Sequence, residues 1–141
     1  MPEDATPPPV QPTPPPPVQP SAEQQARTWN MWCHLSALAG LLGIPFGNVL
    51  GPLLIWQIKK IEIPSLDIHG KAAVNFQLTV LIAALVTCAV AFVLSFFCIG
   101  YLLFPLVFAI VIAGMVFAVI AGLKANEGKE YQYPYSLKLI S

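Results

Sequence analysis

The sequence predicts an all-α integral membrane protein, with four helices in two hairpins behind a proline-rich N-terminal tail. Three observations carry this prediction. Only 10% of the 141 residues are charged, 56% are hydrophobic, and the mean hydropathy is +0.68. No charged residue lies between Lys71 and Lys124, a gap of 52 residues. At about 1.5 Å per residue such a helix would measure about 78 Å, enough for two bilayer crossings and a turn.

The same composition excludes several classes of protein. A nucleic-acid binder needs a basic face, whereas the seven basic and seven acidic residues here give a net charge of zero. A disulfide scaffold needs paired cysteines, and the three cysteines lie in apolar segments, where they are expected to pack as small residues. No catalytic motif and no phosphate-binding loop occurs, so we expect neither an enzyme nor a cofactor.

Composition divides the chain into three parts: a disordered tail over residues 1–20, a helical transmembrane domain over 21–126 and an extended tail over 127–141. Ten of the fifteen prolines lie in residues 2–20, which therefore lack the N–H donors of a helix or sheet. Glu3 and Asp4 stand where a secretory signal would be basic, so the segment is not read as a signal. A solvated spacer is the favoured role, and docking into an aromatic groove of a partner is the alternative.

The first hairpin is predicted as helices over about 21–43 and 48–60. Ser21 should cap the first helix together with Gln24. Pro45 and Gly47 interrupt the apolar run, and Asn48 is a suitable cap for the second helix. With about 13 residues, or about 19 Å, this second helix is short for a core of about 30 Å, which indicates a half-span or a re-entrant arm. The alternative reading is three spans.

Charge placement predicts the orientation. In the hairpin topology every basic residue lies on one side, which by the positive-inside rule is the cytoplasm. We therefore expect a bacterial inner (plasma) membrane protein with both termini cytoplasmic. The basic residues are Arg27, Lys59, Lys60, Lys71, Lys124, Lys129 and Lys138.

The second hairpin is predicted as a helix over about 68–98, capped by Ser65 or Asp67, and a last helix that has Pro105 in its first turn and continues to about Lys124. Helices in lipid associate through close packing of small residues. Such residues recur at i+4 spacing in two ladders and in one shorter pair. The candidate packing residues are Ala83, Thr87, Ala91 and Ser95; Gly114, Ala118 and Gly122; and Gly47 with Gly51.

Polar residues at membrane depth are the candidate site residues. Lys71, Asn75 and Thr79 share one helix face, and either line a cavity or form hydrogen bonds between helices, for example to Asn48. His34 and His69, even with Asp67, stand at spacings that are too unconnected to predict a metal site. The full set is His34, Asn48, His69, Lys71, Asn75, Gln77 and Thr79.

Five sequence blocks resemble a bacterial membrane family of unknown function that is grouped with the twenty-kilodalton Tic component of the chloroplast inner-envelope translocon. The blocks begin at His34, Ile44, Trp56, His69 and Tyr133, and the resemblance covers about residues 28–141. The stretch from His69 to Gln77 is its most specific part. The resemblance implies a helical membrane domain of three or four spans and a link to protein translocation.

These observations lead to two hypotheses for the function. The first is a non-enzymatic scaffold or subunit of a membrane assembly, which the resemblance would connect with translocation. The alternative is a small oligomeric pore or transporter. The expected partners are the lipid bilayer and either other proteins or further copies of the chain, with no nucleic acid.

Overall fold

A computed structural model describes residues 20–141, so the predicted proline-rich tail lies outside the described residues except for Pro20. The described part is all-helical, as the sequence predicts, and contains no strand. Short 3₁₀ helices over Ser36–Leu42 and Gly100–Leu103 accompany four α-helices. These are α1 (Ala22–Leu35), α2 (Gly47–Lys59), α3 (Ser65–Ser95) and α4 (Phe104–Asn126).

The start of α1 confirms the predicted cap, because the Ser21 hydroxyl accepts a hydrogen bond of 3.2 Å from the Gln24 N–H. The helical segment ends at Leu42, close to the predicted residue 43, but it is not one continuous α-helix. The α-helix ends at Leu35 and continues as the 3₁₀ helix. Ser36 contributes to this change, since its hydroxyl donates to the Cys33 carbonyl at 2.7 Å and competes with the α-helical hydrogen-bond pattern.

A tight apolar turn joins the first hairpin, as predicted, but its cap differs. Gly43 and Phe46 adopt left-handed backbone, with φ of 75° and 57°, and α2 begins at Gly47. Asn48 therefore lies inside the helix and is not its cap. Its side chain points to α3, where Nδ2 donates to the Gln77 Oε1 at 3.3 Å. Pro52 lies in the interior of α2.

Helix α3 begins at Ser65, three residues before the predicted start, and Pro64 occupies the cap position without a side-chain hydrogen bond. Neither predicted capping residue caps the helix. The Ser65 hydroxyl accepts from the Asn30 Nδ2 at 3.0 Å, and Asp67 accepts from the Trp56 indole at 2.9 Å. Both side chains are thus engaged by neighbouring helices.

The helices pack with a clear register. α1 runs parallel to α3, because Asn30 meets Ser65 and His34 meets His69, both 35 positions apart. α2 returns antiparallel to α3. Its Trp56 packs where a Cβ on Gly70 would lie within 2.3 Å of the indole. The shared core consists of Cys33, Val49, Trp56, Leu66, Ala73 and Val74.

Glycines set the closest approaches between helices. A Cβ on Gly51 would lie 2.3 Å from the Ser36 carbonyl oxygen, and one on Gly47 would lie 2.9 Å from the Ala39 backbone. On α4, Gly114 faces Val80 of α3, whereas Gly122 faces Leu35 of α1, with Ala118 fully buried between them. In the other ladder Ala91 and Ser95 meet Gly100, and Thr87 donates to the carbonyl of the half-buried Ala83.

The first hairpin covers only part of the length of the second. Its turn reaches the level of Leu81 and Ala84, and α3 continues for about 21 Å beyond Leu81 to Ser95. Beyond this level α3 exposes large apolar side chains, among them Phe92 at 66%. Two helical segments, Ser65–Ser95 and Gly100–Asn126, are long and apolar enough to cross a membrane. Neither helix of the first hairpin meets this criterion.

Candidate functional site

A polar cleft of about 440 Å³ opens at the charged end of the bundle, between the start of α3 and the C-terminal tail. From α3 it is lined by Asp67, His69, Lys71 and Asn75. The tail covers the other side from residue 130 onward. Three of the predicted site residues, His69, Lys71 and Asn75, therefore share one cleft, and His34 lies directly behind it. The tail side contributes Glu130, Tyr131, Gln132, Tyr133, Ser136, Lys138 and Ile140.

A chain of three side chains connects α1, α3 and the tail behind this cleft. His34 Nε2 lies 3.0 Å from His69 Nδ1, and His34 Nδ1 lies 2.8 Å from the Tyr133 hydroxyl. Both histidines are buried, with exposures of 1% and 6%. Their positions in the sequence do not by themselves predict this contact. The parallel direction of α1 and α3 could have indicated it, since each histidine lies near the polar end of its helix.

Tyr133 fixes the tail on an aromatic platform. Its ring stacks on Phe76 with centroids 4.1 Å apart and an interplanar angle of 14°. Phe76 in turn packs edge-on against Phe117 of α4 at 5.9 Å. Burial raises the pKa of the Tyr133 hydroxyl well above its ordinary range, so the group is a neutral partner for His34.

Asn75 binds the backbone of the tail. Its Oδ1 accepts from the N–H groups of Leu139 at 3.1 Å and Ile140 at 2.8 Å, and its Nδ2 donates to the Ile140 carbonyl at 2.9 Å. One turn further along α3, the Thr79 hydroxyl accepts from the Leu137 N–H at 2.9 Å. The tail, which has no regular secondary structure, thus finds its backbone partners on side chains.

These contacts separate the predicted polar stripe into two parts. Asn75 and Thr79 hold the tail, whereas Lys71 pairs with Asp67 at 2.9 Å across one helical turn. The suggested partner Asn48 does not meet Asn75 at all. It meets Gln77, on the opposite face of α3, beside a second pocket of about 190 Å³. The stripe is therefore mainly a docking surface for the chain's own C-terminus.

Ion pairs mark the cleft as the polar end of the molecule. Glu127, just after α4, accepts from Lys129 at 3.0 Å and Lys124 at 3.3 Å, and these hydrogen bonds lower the pKa of its carboxyl. Lys59 lies over the Trp29 ring at 5.2 Å, as a cation–π pair. Residues 20–141 contain no group of three His, Cys, Asp or Glu side chains arranged to hold a metal ion. The side chains described above therefore bind the backbone of the C-terminal tail and hold the tail against α3.

Comparison with known proteins decides the family. The model of the magnetosome magnetite crystal formation protein family matches residues 25–140. The chain belongs to this family. Among curated proteins and among solved structures, no significant match is found. The matched range includes all four helices except the first turn of α1, and it includes the tail that closes the cleft.

Membership in the magnetite crystal formation family corrects the resemblance to the Tic-like family, which was wrong, and it removes the link to protein translocation. The blocks that carried the resemblance have structural roles here. Gly70 makes room for Trp56, Asn75 binds the tail, and Gly47 and Gly51 admit the first 3₁₀ helix. Close packing of this kind constrains residue types in any small helical membrane protein, so shared motifs do not distinguish between such families.

Proposed function

We propose that this protein is a non-enzymatic integral membrane component of the magnetosome that acts in magnetite crystal formation as a scaffold or subunit of an assembly. The family match over residues 25–140 carries the proposal. The geometry is in keeping with it, because the polar side chains of the cleft are engaged in holding the protein's own tail.

The proposed membrane placement has two crossing helices and a re-entrant hairpin. α3 and the segment from Gly100 to Asn126 cross the bilayer, while the turn of the first hairpin ends within it. The turn supports this placement, since its Leu42 and Phe46 are 79% and 59% exposed and residues 41–46 carry no charge. The polar cleft then lies at the cytoplasmic interface, with both termini.

The opposite end of the bundle limits how the protein can contact a mineral. Residues 96–103, which join α3 to α4, contain no Asp, Glu, Lys or Arg. A crystal surface that presents metal cations and oxide would be bound best by charged side chains. On the proposed orientation the charged groups lie on the cytoplasmic side, so we infer that the protein acts through protein partners and not by direct contact with the crystal.

Two observations favour a scaffold over the alternative of a pore. Asn75 is 5% exposed and uses both amide atoms on the tail. The Thr79 hydroxyl donates to the backbone carbonyl of Asn75 and accepts from the Leu137 N–H. A pore would need these polar groups to face water, whereas here they are occupied by the chain itself.

The test is made in a bacterium that forms magnetite. Removal of this chain is expected to change the size or number of crystals seen by electron microscopy, and the wild-type chain should restore them. The variants His34→Phe and Asn75→Leu disturb the cleft without adding a charged group. At equal protein level they should restore the crystals less well than the wild-type chain does. Unchanged crystals without the chain would contradict the proposal.

A further inference from the structure

The second pocket lies on the opposite face of α3 from the cleft, where the first hairpin turns. Its walls come from the 3₁₀ helix, the turn, α2, α3 and α4, and its volume is about 190 Å³. Among the described residues that line it, only Asn48 and Gln77 have polar side chains. The remaining wall residues are Gly40, Ile44, Phe46, Val80, Leu81, Ala84, Val111 and Met115.

Gln77 carries an unused hydrogen-bond donor at this pocket. Its side chain is 2% exposed, and its Oε1 accepts from the Asn48 Nδ2 at 3.3 Å. Its Nε2 is buried and has no hydrogen-bond partner among the described residues. An unpaired buried amide donor destabilises a protein, so this donor in an otherwise apolar wall indicates a missing hydrogen-bond acceptor.

The chemistry of the walls selects the partner. The uncharged Gln77 Nε2 donor is suited to a neutral acceptor oxygen of a ligand. The aliphatic walls and the Phe46 ring are suited to an apolar ligand skeleton. Water is a poorer occupant, since the two amides supply only the minimum of the two to four polar partners that a buried water needs, and every other described side chain of the wall is apolar. The exposed edge of the pocket lies at the turn, where the lining residues Ile44 and Phe46 are 49% and 59% exposed. On the placement proposed above, this edge meets the hydrocarbon region.

We propose that this pocket is a binding site for a neutral, apolar molecule that bears a carbonyl group and enters from the lipid. The carbonyl oxygen accepts from Gln77 Nε2, and the body lies against Leu81, Val111 and Met115. A ketone, quinone or ester with a compact apolar skeleton belongs to this class. The site lies apart from the cleft and shares no lining residue with it.

Benzophenone is a suitable probe, since it consists of one carbonyl between two apolar rings. On irradiation its excited carbonyl takes a hydrogen atom from a nearby C–H group, and the two carbons then join, so the ketone is reduced to an alcohol as the side chain is alkylated. The full-length protein in detergent is irradiated with increasing benzophenone, and peptides are mapped by mass spectrometry. Saturable labelling at Met115 or Leu81 is expected.

Two comparisons make the result specific. Gln77→Leu should reduce this labelling about fivefold or more, the loss expected for one neutral hydrogen bond, whereas the exposed Gln57→Leu should leave it unchanged. On the wild-type protein, fluorenone should compete for labelling far better than fluorene, which has the same rings without the carbonyl. Because this competition uses the wild-type protein, it tests recognition of the carbonyl group even if Gln77→Leu does not fold. Labelling elsewhere, labelling that does not saturate, or equal competition by the two compounds would overturn the proposal.

Discussion

The His34 Nδ1 and the Tyr133 hydroxyl oxygen lie 2.8 Å apart, although 99 positions separate the two residues in the chain. This contact connects the last part of the protein to its first helix through a buried side chain. It places the C-terminal tail within the tertiary structure, where its hydrogen bonds and its stacking on Phe76 stabilise the polar end of the bundle.

Removing the hydroxyl tests this connection. Tyr133→Phe retains the stacked ring but leaves His34 Nδ1 without its partner, and we expect a loss of about 1 kcal/mol of stability. Thermal unfolding in detergent should show a lower midpoint. Tyr135→Phe is the matched control, since Tyr135 is 95% exposed. Equal midpoints for the two variants would show that the hydroxyl contributes nothing.

The raised pKa of Tyr133 predicts a loss of stability in alkali. The unfolded chain loses this proton near the ordinary tyrosine value of about 10, whereas the folded protein retains it. The contribution is therefore complete below about pH 10 and is lost as the pH rises further. The free energy of unfolding, measured by denaturation from pH 8 to 12, should fall more steeply for the wild type than for Tyr133→Phe. Parallel curves would contradict this.

Asn75 should control the attachment of the tail. Asn75→Leu removes all three hydrogen bonds to Leu139 and Ile140, so trypsin should cleave after Lys138 several-fold faster than in the wild type. Asn75→Asp keeps the acceptor oxygen, so its cleavage rate should lie between those of the wild type and Asn75→Leu. Gln57→Leu, which makes the same kind of change on an exposed face, controls for a general effect. Equal cleavage rates would mean that the tail is held elsewhere.

Packing on α4 gives a further comparison. Ala118 is fully buried between Gly114 and Gly122, whereas Leu102 is 78% exposed. Ala118→Leu should therefore lower the unfolding temperature, at a cost of about 1–3 kcal/mol, and Leu102→Ala should have little effect. Aggregation on heating in detergent measures both. A reversed order would show that the α4 ladder does not form a helix contact.

Much of the helical arrangement could be predicted from residue patterns. Apolar runs, the Ser21 cap and the prolines located the helices, because these signals act over a few neighbouring residues. The bounds of α1 and α3 were missed where tertiary contacts compete with local preference. Ser36 turns α1 into a 3₁₀ helix beside Gly51, and Ser65 binds Asn30 and does not cap α3.

The candidate site was less predictable, because its partners are distant in sequence. Asn75 and Thr79 could be named as polar residues on one face, but nothing local shows that Leu137 to Ile140 bind them. The contact between His34 and His69 could not be predicted for the same reason, because it depends on the parallel register of α1 and α3. The family resemblance failed because its motifs reflect helix packing.

The proposed membrane placement has two crossings, both termini on one side and a first hairpin that ends inside the bilayer. A membrane-impermeant maleimide tests it in vesicles of both orientations. Cys98 serves as the native thiol for the turn before α4, and Leu42→Cys and Lys138→Cys are each made with Cys98→Ser. Cys88→Ala is included throughout.

With this placement, Lys138→Cys should react only from the cytoplasmic side, Cys98 only from the opposite side, and Leu42→Cys from neither until the membrane is dissolved. Labelling of Leu42→Cys from the same side as Cys98 would rule this placement out, because the first hairpin would then cross the membrane completely.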